Sequence, residues 1–419
     1  MPITHTNGTP HDLIVIGAGA AGLFAAVTAA ENGAKVLLLE RNDRIGKKLA
    51  ITGKGRCNVT NDASTEDVLK NIPRNSRFLY SSITSYPPEK VMAFFEDGGC
   101  PLKVERGNRV FPTSDRSSDI IGVFSRLMDK LPITMKRCRV TKLLTADGRI
   151  SGVASDQGEY HCDKVILATG GASYPLTGST GDGYSMVEAL GHKIIPPTGS
   201  LVPIVSNDIC GEMQGLSLRN TELKLLDKKG KVVFKDFGEL LFTHFGISGP
   251  MALSASAHLK EGQTYEISLD LKPALDESKL DARFLRDLEK YSNRSMENAL
   301  ADLYPHSMIP AILKMSGIPM DLKAHSLTKA QRRELLTNTK SMRFPVIGTR
   351  PVEEAIITRG GISVKEIDPK TMESKVIPGL YFAGEILDCD AYTGGFNLQI
   401  AWSTAYAAAK ACTQSSVEG

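Results

Sequence analysis

The sequence has few cysteines and none of the patterns that would give them a structural role. There are seven cysteines in 419 residues, an odd number, and no two of them form a CxxC pair. This pattern argues against a disulfide framework and against a zinc ribbon, and it fits a reducing, cytoplasmic environment. The eight histidines occur without HxxH or HExxH spacing, and we predict no metal site.

Long apolar and long charged runs are also missing. Residues 13–30 are apolar, but three glycines interrupt them, which favours strand, turn and helix over a membrane span. The N-terminal residues lack the apolar core of a signal peptide. The net charge is only +3 and is spread along the chain, so we expect neither a membrane nor a nucleic-acid partner. There is also no P-loop and no GxSxG nucleophile motif.

The first informative segment is a glycine-rich motif near the N-terminus. Residues 12–16 read as a buried strand, 20–32 as a helix and 35–40 as a second strand. Between the first strand and the helix lies Gly17-Ala-Gly19-Ala20-Ala21-Gly22, in which the glycines permit a tight turn, close approach to a pyrophosphate and helix packing. Glu40 ends the second strand, where it can accept hydrogen bonds from ribose hydroxyls and disfavours NADP. The alternative is a glycine-rich turn without ligand.

A second segment, near the C-terminus, distinguishes FAD from NAD as the ligand. Residues 379–383 form a strand that runs into Gly384 and Glu385, and this carboxylate is predicted to reach the ribityl and pyrophosphate region. A helix then begins at Asn397-Leu398-Gln399 after two glycines, and its N-terminus can stabilise negative charge on a reduced flavin. The alternative is an ordinary connection between a strand and a helix.

Two further segments are candidates for the same site. Ala168-Thr169-Gly170 ends a buried strand, where small residues let the backbone pass close to an adenosine. Residues 177–184 contain three glycines and form either a surface turn or a second phosphate-binding nest. The basic patch Lys47, Lys48, Lys54 and Arg56 is either a solvated loop or a phosphate contact, and its place just after the glycine-rich motif favours the latter.

Several motifs together resemble the BaiN/aminoacetone-oxidase family of FAD-dependent flavoproteins. They are GAGAAG at 17–22, KGRCNVTN at 54–61, ATGG with TGSTGDGY at 168–184, THFGISGP at 243–250, TRGGI at 358–362, and YFAGEILDCDAYTGGFNLQIAWSTA at 381–405. The resemblance implies an α/β fold, in which a Rossmann-like FAD-binding domain is interrupted by an inserted β-barrel-like domain and a small helical domain. It also implies FAD contacts at Glu40, Arg41, Arg56, Cys57, Asn58, the Ala168–Gly170 turn, Glu385 and the Asn397–Gln399 turn. Lys48 and Val140 complete our set of predicted contacts. Lys54 departs from the glycine of many relatives.

Residues 133–140 and 150–154 are predicted strands of a small antiparallel meander, separated by a turn at 146–148, and residues 222–234 are predicted to form a hairpin.

The predicted domains follow from the composition shifts along the chain. The FAD-binding domain spans 1–195 and 346–419, the inserted β domain 196–275 and the inserted helical domain 276–345.

The predicted function is hydride transfer between a small organic substrate and FAD. One form is a reductase of an activated C=C bond with NAD(P)H as the reductant. The sequence has no second glycine-rich nucleotide motif, so NAD(P)H would have to dock transiently, and this weakens that form. The alternatives are a small-amine oxidase that uses oxygen and a non-catalytic flavin redox sensor. An RNA-modifying flavoenzyme would require a basic face, and the net charge of +3 gives that interpretation little support. Oligomeric state and substrate identity are not readable from the sequence.

Three residues are candidates for catalysis. His244 could donate a proton, or it could be a hydrogen-bonded histidine in a turn. Cys57 could be a reactive thiol if Arg56 or Lys54 lowers its pKa, or it could be a packing residue. Tyr392 could reach the substrate face of the flavin, or it could cap a turn.

Overall fold

The protein divides into two compact units. The computed structural model describes residues 11–414. The first unit contains the residues up to Gly199 together with those from Ile356 onward, and the second unit is Ser200–Ala355. No helix within residues 11–414 is long and apolar enough to cross a membrane.

The strands, in chain order, are β1 (Leu13–Ile16), β2 (Val36–Glu40), β3 (Thr60–Asn61), β4 (Leu102–Glu105), β5 (Arg109–Pro112), β6 (Ile133–Arg137), β7 (Val140–Ala146), β8 (Arg149–Ser155), β9 (Gly158–His161), β10 (Val165–Leu167), β11 (Ile194–Ser200), β12 (Ile204–Val205), β13 (Ser217–Asp227), β14 (Val232–Thr243), β15 (Gly246–Ser248), β16 (Tyr265–Asp270), β17 (Met342–Val346), β18 (Gly348–Thr349), β19 (Ile357–Ile362) and β20 (Leu380–Phe382).

The α-helices, in chain order, are α1 (Ala20–Glu31), α2 (Lys47–Ile51), α3 (Thr65–Lys70), α4 (Ser76–Ser85), α5 (Pro88–Asp97), α6 (Ser117–Met128), α7 (Asp182–Glu188), α8 (Asp208–Glu212), α9 (Pro250–Ser256), α10 (Glu277–Lys290), α11 (Met296–Ala299), α12 (Ile309–Met315), α13 (Lys329–Lys340) and α14 (Phe396–Thr413).

A parallel sheet forms the centre of the first unit. Its order is β20-β10-β1-β2-β6, so a strand from the end of the chain pairs with β10, which pairs with the first strand. The residues of β1, β2, β10 and β20 are all buried, as expected for parallel strands covered on both faces. Phe24 of α1 and Trp402 of α14 pack together, with ring centroids 5.5 Å apart. The Rossmann-type α/β fold and its parallel sheet are therefore confirmed.

One predicted strand proves to be two. The sequence suggested a strand over 133–140 that begins an antiparallel meander. Instead, β6 joins the parallel sheet beside β2, and the meander is β7-β8-β9. The predicted turn at 146–148 lies between β7 and β8, where Asp147 (φ 51°) and Gly148 (φ 74°) both have positive φ, as a tight hairpin turn of type I′ requires.

The second unit combines a sheet with helices. The strand order of the sheet is β17-β16-β13-β14-β15-β12-β18, with antiparallel pairing throughout. The predicted hairpin at 222–234 is part of the longer β13–β14 pair. Buried side chains of the sheet and of the helices, such as Leu269 and Phe284, belong to one hydrophobic cluster. Separate β-barrel-like and helical domains remain a prediction, and the unit limits at 200 and 355 differ from the predicted 196 and 345.

Candidate cofactor site in the first unit

The three glycines of the N-terminal motif differ in what surrounds the position of a Cβ atom. Gly17 has a φ of +99°, and a Cβ there would lie 2.6 Å from Ala168 O. A Cβ on Gly22 would lie 1.7 Å from Gly17 O, whereas one on Gly19 would meet nothing within 4 Å. Gly17 and Gly22 are thus required by the packing of the protein itself. Gly19 instead leaves space open at the start of α1.

Helix α1 begins at this open space with its first N–H groups uncapped by any side chain. Its N-cap is Gly19, and the first turn contains no acidic residue. Free N–H groups and the helix dipole together favour an anion at such an end. The carboxylate of Glu40 lies nearby: Oε2 accepts a hydrogen bond from Ala18 N (2.6 Å) and Oε1 accepts one from Asn42 N (2.7 Å). Each oxygen keeps a lone pair for a further donor.

A cavity in the first unit is lined by most of the predicted cofactor residues. Those that line it are Gly17, Gly19, Ala20, Ala21, Glu40, Arg41, Lys48, Val140, Ala168, Thr169, Gly170, Glu385, Asn397 and Leu398. Those that do not line it are Gly22, Arg56, Cys57, Asn58, Gly384 and Gln399. The structure therefore brings the two ends of the chain together at one site, as expected of a split nucleotide-binding domain.

The predicted residues outside the cavity lining support its walls. Arg56 donates to Glu105 (2.8 Å) and Asp115 (3.0 Å) and lies over the Phe111 ring at 4.0 Å. Gln399 is fully buried and accepts from Thr60 Oγ1 at 2.5 Å.

Asn58 and Gly384 have comparable supporting positions. With its amide oriented to satisfy its neighbours, Asn58 accepts a hydrogen bond from Gly395 N at 3.0 Å, which holds the N-cap residue of α14. A Cβ on Gly384 would lie 2.7 Å from Ala21 Cβ, so this glycine allows the C-terminal segment to approach α1.

The structure contradicts a reactive thiol at Cys57. The side chain is fully buried, and burial raises its pKa to about 12, against a smaller lowering by a hydrogen bond with Thr52. The expected lowering by Arg56 fails because that guanidinium is paired with Glu105 and Asp115. Cys57 is therefore a packing residue in a tight turn, with a φ of 61°.

Glu385 lines the cavity, but its carboxylate is already bound by protein donors. Oε1 accepts from Ser173 Oγ and Thr358 N, both at 2.9 Å, and Oε2 accepts from Lys48 Nζ at 2.5 Å. The sequence predicted that this carboxylate would reach the ribityl and pyrophosphate region of the cofactor, and this contact remains a prediction. In the structure its hydrogen bonds hold it against Lys48, Ser173 and Thr358.

A polar cluster around Asp182 was missed by the sequence reasoning. Asp182 accepts hydrogen bonds from Arg139 (2.8 Å), Arg41 (3.1 Å) and Thr180 (2.7 Å), and all four residues line the cavity. Partial burial opposes ionisation of Asp182, but the bonds from Thr180 and Arg139 outweigh it and lower its pKa. The TGSTGDGY motif pointed to this region, whereas nothing in the sequence pattern pointed to Arg139.

His244 and Tyr392 are not among the residues that line this cavity. His244 is an exposed residue of the second unit, in the turn between β14 and β15, and its ring contacts Phe245. Tyr392 is half-buried, and its N–H donates to Asn71 O at 3.0 Å. Their catalytic roles remain predictions.

The cavity has the donors that FAD requires. The N-termini of α1 and α14 both contribute to it, and neither has a side-chain cap or an acidic residue in its first turn. Thr169 also lines it, and its buried Oγ1 has no hydrogen-bond partner within residues 11–414. Two anion-binding helix ends fit a cofactor that is anionic at its pyrophosphate and becomes more anionic on reduction of its flavin. Within the same residues no group of His, Cys, Asp or Glu has metal-binding geometry.

A Rossmann-type parallel sheet, with a cavity lined by the N-termini of α1 and α14, defines an FAD-dependent oxidoreductase. Comparison with family models identifies the family: residues 11–411 match the model described as HI0933-like protein Rossmann domain. The chain belongs to this family of FAD-binding flavoproteins.

Two curated relatives match nearly the whole chain. The 3-dehydro-bile acid delta(4,6)-reductase of Clostridium scindens is 30% identical over 96% of this chain and 98% of its own length. The ribosomal RNA dihydrouridine synthase of Escherichia coli is 29% identical over 95% of this chain and 97% of its own length. The second name leaves the expected absence of a nucleic-acid partner without support.

Solved structures agree with the fold. The 3-ketosteroid delta1-dehydrogenase of Sterolibacterium denitrificans is 13% identical, with a TM-score of 0.53 over 96% of this chain and 99% of that chain. At that identity the similarity concerns the fold only.

Proposed function

We propose that this protein is an FAD-dependent reductase that adds two hydrogens across a carbon–carbon double bond conjugated to a carbonyl group, with NAD(P)H as the reductant. The observation that carries the proposal is that two relatives with unlike substrates match this chain over nearly its whole length. The names of these two relatives describe the same chemistry: one reduces double bonds in a 3-oxo bile acid, and the other forms dihydrouridine from uridine in RNA.

Residues of the first unit would hold the cofactor through its pyrophosphate, a ribose and the flavin. The N-terminus of α1 at Gly19 and Ala20 would bind the pyrophosphate, and Glu40 would accept hydrogen bonds from a ribose. The N-terminus of α14 at Asn397 would face the flavin. FAD supplies reversible transfer of a hydride, and a proton must come from elsewhere. His244 and Tyr392 are the proposed proton donors.

The ion pairs near the cavity favour a small-molecule substrate over RNA. Three of the four residues of the basic patch are paired: Lys47 with Asp43 (2.9 Å), Lys48 with Glu385 and Arg56 with Glu105. The fourth, Lys54, is exposed and forms no ion pair within residues 11–414. RNA phosphates are bound by lysines and arginines whose charge is not already compensated. We therefore expect a compact, conjugated ketone as the substrate. An RNA substrate is the second candidate, which the similarity to the dihydrouridine synthase favours.

The test is a two-stage anaerobic measurement. Holoprotein is first mixed with NADH or NADPH, and loss of the flavin absorbance near 450 nm reports reduction of the cofactor. The reduced protein is then mixed either with a conjugated 3-oxo-steroid or with unmodified ribosomal RNA, and recovery of the absorbance reports its oxidation.

Each outcome decides between the candidates. Rapid recovery with the steroid supports the proposal, and recovery only with RNA supports the second candidate. If neither nucleotide bleaches the flavin, the NAD(P)H-dependent reductase is excluded. Bleaching by a small amine would then favour an amine oxidase, whereas bound FAD without any turnover would favour a redox sensor.

A further inference from the structure

Four segments distant in sequence meet at the carboxylate of Glu385. Lys48 comes from α2, Ser173 from the loop after β10, Thr358 from β19 and Glu385 from the segment after β20. Lys48 Nζ donates to Glu385 Oε2 at 2.5 Å and to Ser173 Oγ at 2.7 Å. Ser173 Oγ in turn donates to Glu385 Oε1 at 2.9 Å. We call Glu385, Ser173 and Thr358 the Lys48 clamp.

The clamp has little freedom to rearrange. Thr358 N donates to Glu385 Oε1 at 2.9 Å, and Thr358 Oγ1 accepts from Ala172 N (2.8 Å) and Ser173 N (3.1 Å). A Cβ on Gly171 would lie 2.3 Å from Thr358 Oγ1, so the loop that contains Ser173 passes close to β19. The ammonium of Lys48 is therefore held at one position in the cavity wall.

The ion pair of Lys48 with Glu385 is shielded from water, unlike the ion pair of Lys47 with Asp43. The side chains of Lys48 and Glu385 are 19% and 13% exposed, whereas Asp43, the partner of Lys47, is 60% exposed. Shielded charges act on their surroundings more strongly than solvated ones, because less water screens them. Lys48 is thus a fixed charge able to influence a ligand in the cavity that it lines.

We propose that Glu385 is a positioning residue that holds the Lys48 ammonium beside FAD, and that this pair sets the redox potential of the bound cofactor. The inference rests on FAD as the cofactor and is independent of the substrate proposed above. Reduction makes the flavin more negative, so a nearby cation favours the reduced form and a nearby carboxylate opposes it. Loss of the ammonium should therefore lower the potential. Loss of the carboxylate charge should raise it, because Ser173 Oγ, which also accepts from Lys48 Nζ, still holds the cation.

The test measures the midpoint potential of FAD in the holoprotein by reduction in equilibrium with a reference dye, without substrate. Lys48→Met should lower the potential, and Glu385→Gln should raise it. We expect each to change the ratio of reduced to oxidised cofactor at least tenfold, or ~30 mV for a two-electron couple. Lys48→Arg, which keeps the charge, should stay close to the wild-type potential. Lys70→Met removes an exposed lysine paired with Asp67 and is the control, with no expected shift.

Ser173→Ala separates positioning from charge, because it removes hydrogen bonds to both partners without changing the net charge. Under the proposal it lowers the potential by a smaller amount than Lys48→Met. A wild-type potential in Ser173→Ala would show that the hydrogen bonds of Ser173 do not position Lys48, and it would overturn that part of the proposal. Shifts of the same sign in Lys48→Met and Glu385→Gln, or shifts no larger than in the control, would overturn the proposal. If Lys48→Met purifies without FAD, Ser173→Ala and Glu385→Gln still decide it.

Discussion

Replacing Gly19 with threonine should abolish FAD binding without unfolding the protein. Gly19 has φ −83° and ψ −169°, which any residue adopts, and it is the N-cap of α1. Threonine and glycine are about equally favourable at an N-cap, and a Cβ there meets no atom within 4 Å. The new side chain would instead occupy the cavity space in front of the helix N-terminus.

The magnitude follows from the hydrogen bonds that the pyrophosphate would lose. A bond from a backbone N–H to a charged group contributes about 1.5–3 kcal/mol, so one lost bond weakens FAD binding roughly 10- to 150-fold at about 1.4 kcal/mol per decade. Steric exclusion adds to this loss. We expect a colourless protein whose melting temperature, measured without FAD, equals that of the apo wild type.

Two other glycines provide the controls. Gly22→Ala places its Cβ 1.7 Å from Gly17 O, so it should destabilise the fold by about 1–3 kcal/mol, as overpacking does. Gly348→Thr, in the second unit, also places its Cβ in open space and should change neither stability nor cofactor content. The assay is the ratio of absorbance at 450 and 280 nm together with thermal unfolding. A Gly19→Thr protein with a full complement of FAD would refute the placement of the phosphates.

Three further predictions concern single side chains. Cys57 should resist alkylation at pH 8 in the folded protein and react on denaturation, because burial raises its pKa to about 12. Fast labelling of Cys57 in the native protein would contradict its assignment as a buried packing residue. Glu40→Gln places an amide against the two N–H donors of Ala18 and Asn42, so at least one donor loses its acceptor. The free energy of unfolding, measured by urea titration, should fall by about 1–3 kcal/mol for the unsatisfied group; an unchanged value would contradict the role of Glu40 in holding this turn. Burial lowers the pKa of His192 from 6.5, against an opposing contribution from Glu366, so the unfolded chain takes up the proton first as the pH falls. The free energy of unfolding should therefore be fully retained above about pH 6.5 and decline below it. Urea titrations at a series of pH values should show a shallower decline in His192→Gln than in the wild type. An equal decline in both proteins would exclude His192 as the cause.

The sequence was most informative where local chemistry and packing demand the same residue. Gly17 and Gly22 are required by backbone contacts, and the strands around them are uniformly apolar, so the first βαβ unit and its ligand site were predictable. The return of β20 to the first unit was also predictable, because a second buried strand followed by a glycine and an acid is typical of two-part FAD-binding domains. Its pairing with β10 was not predicted.

Side-chain partners could not be predicted, because they depend on segments that meet only in the folded chain. Arg56 was predicted to contact FAD from its position in a motif, yet its partners Glu105 and Asp115 come from β4 and from the loop after β5. The carboxylate of Glu385 is similarly turned toward Lys48, and Arg139 reaches Asp182 across the cavity wall. A motif gives the position of a residue along the chain but not the direction of its side chain.

The place of β20 and α14 in the first unit has a consequence for biosynthesis. The ribosome makes β1, β2 and β10 long before it makes the strand and the helix that complete the wall of the cavity. We therefore expect a nascent chain to fold part of the sheet but not to bind FAD firmly until residues 383–401, which include residues that line the cavity, have left the exit tunnel. Cofactor uptake is then a late event, and the partly made protein must protect the apolar faces of Phe24 and its neighbours, which α14 later covers.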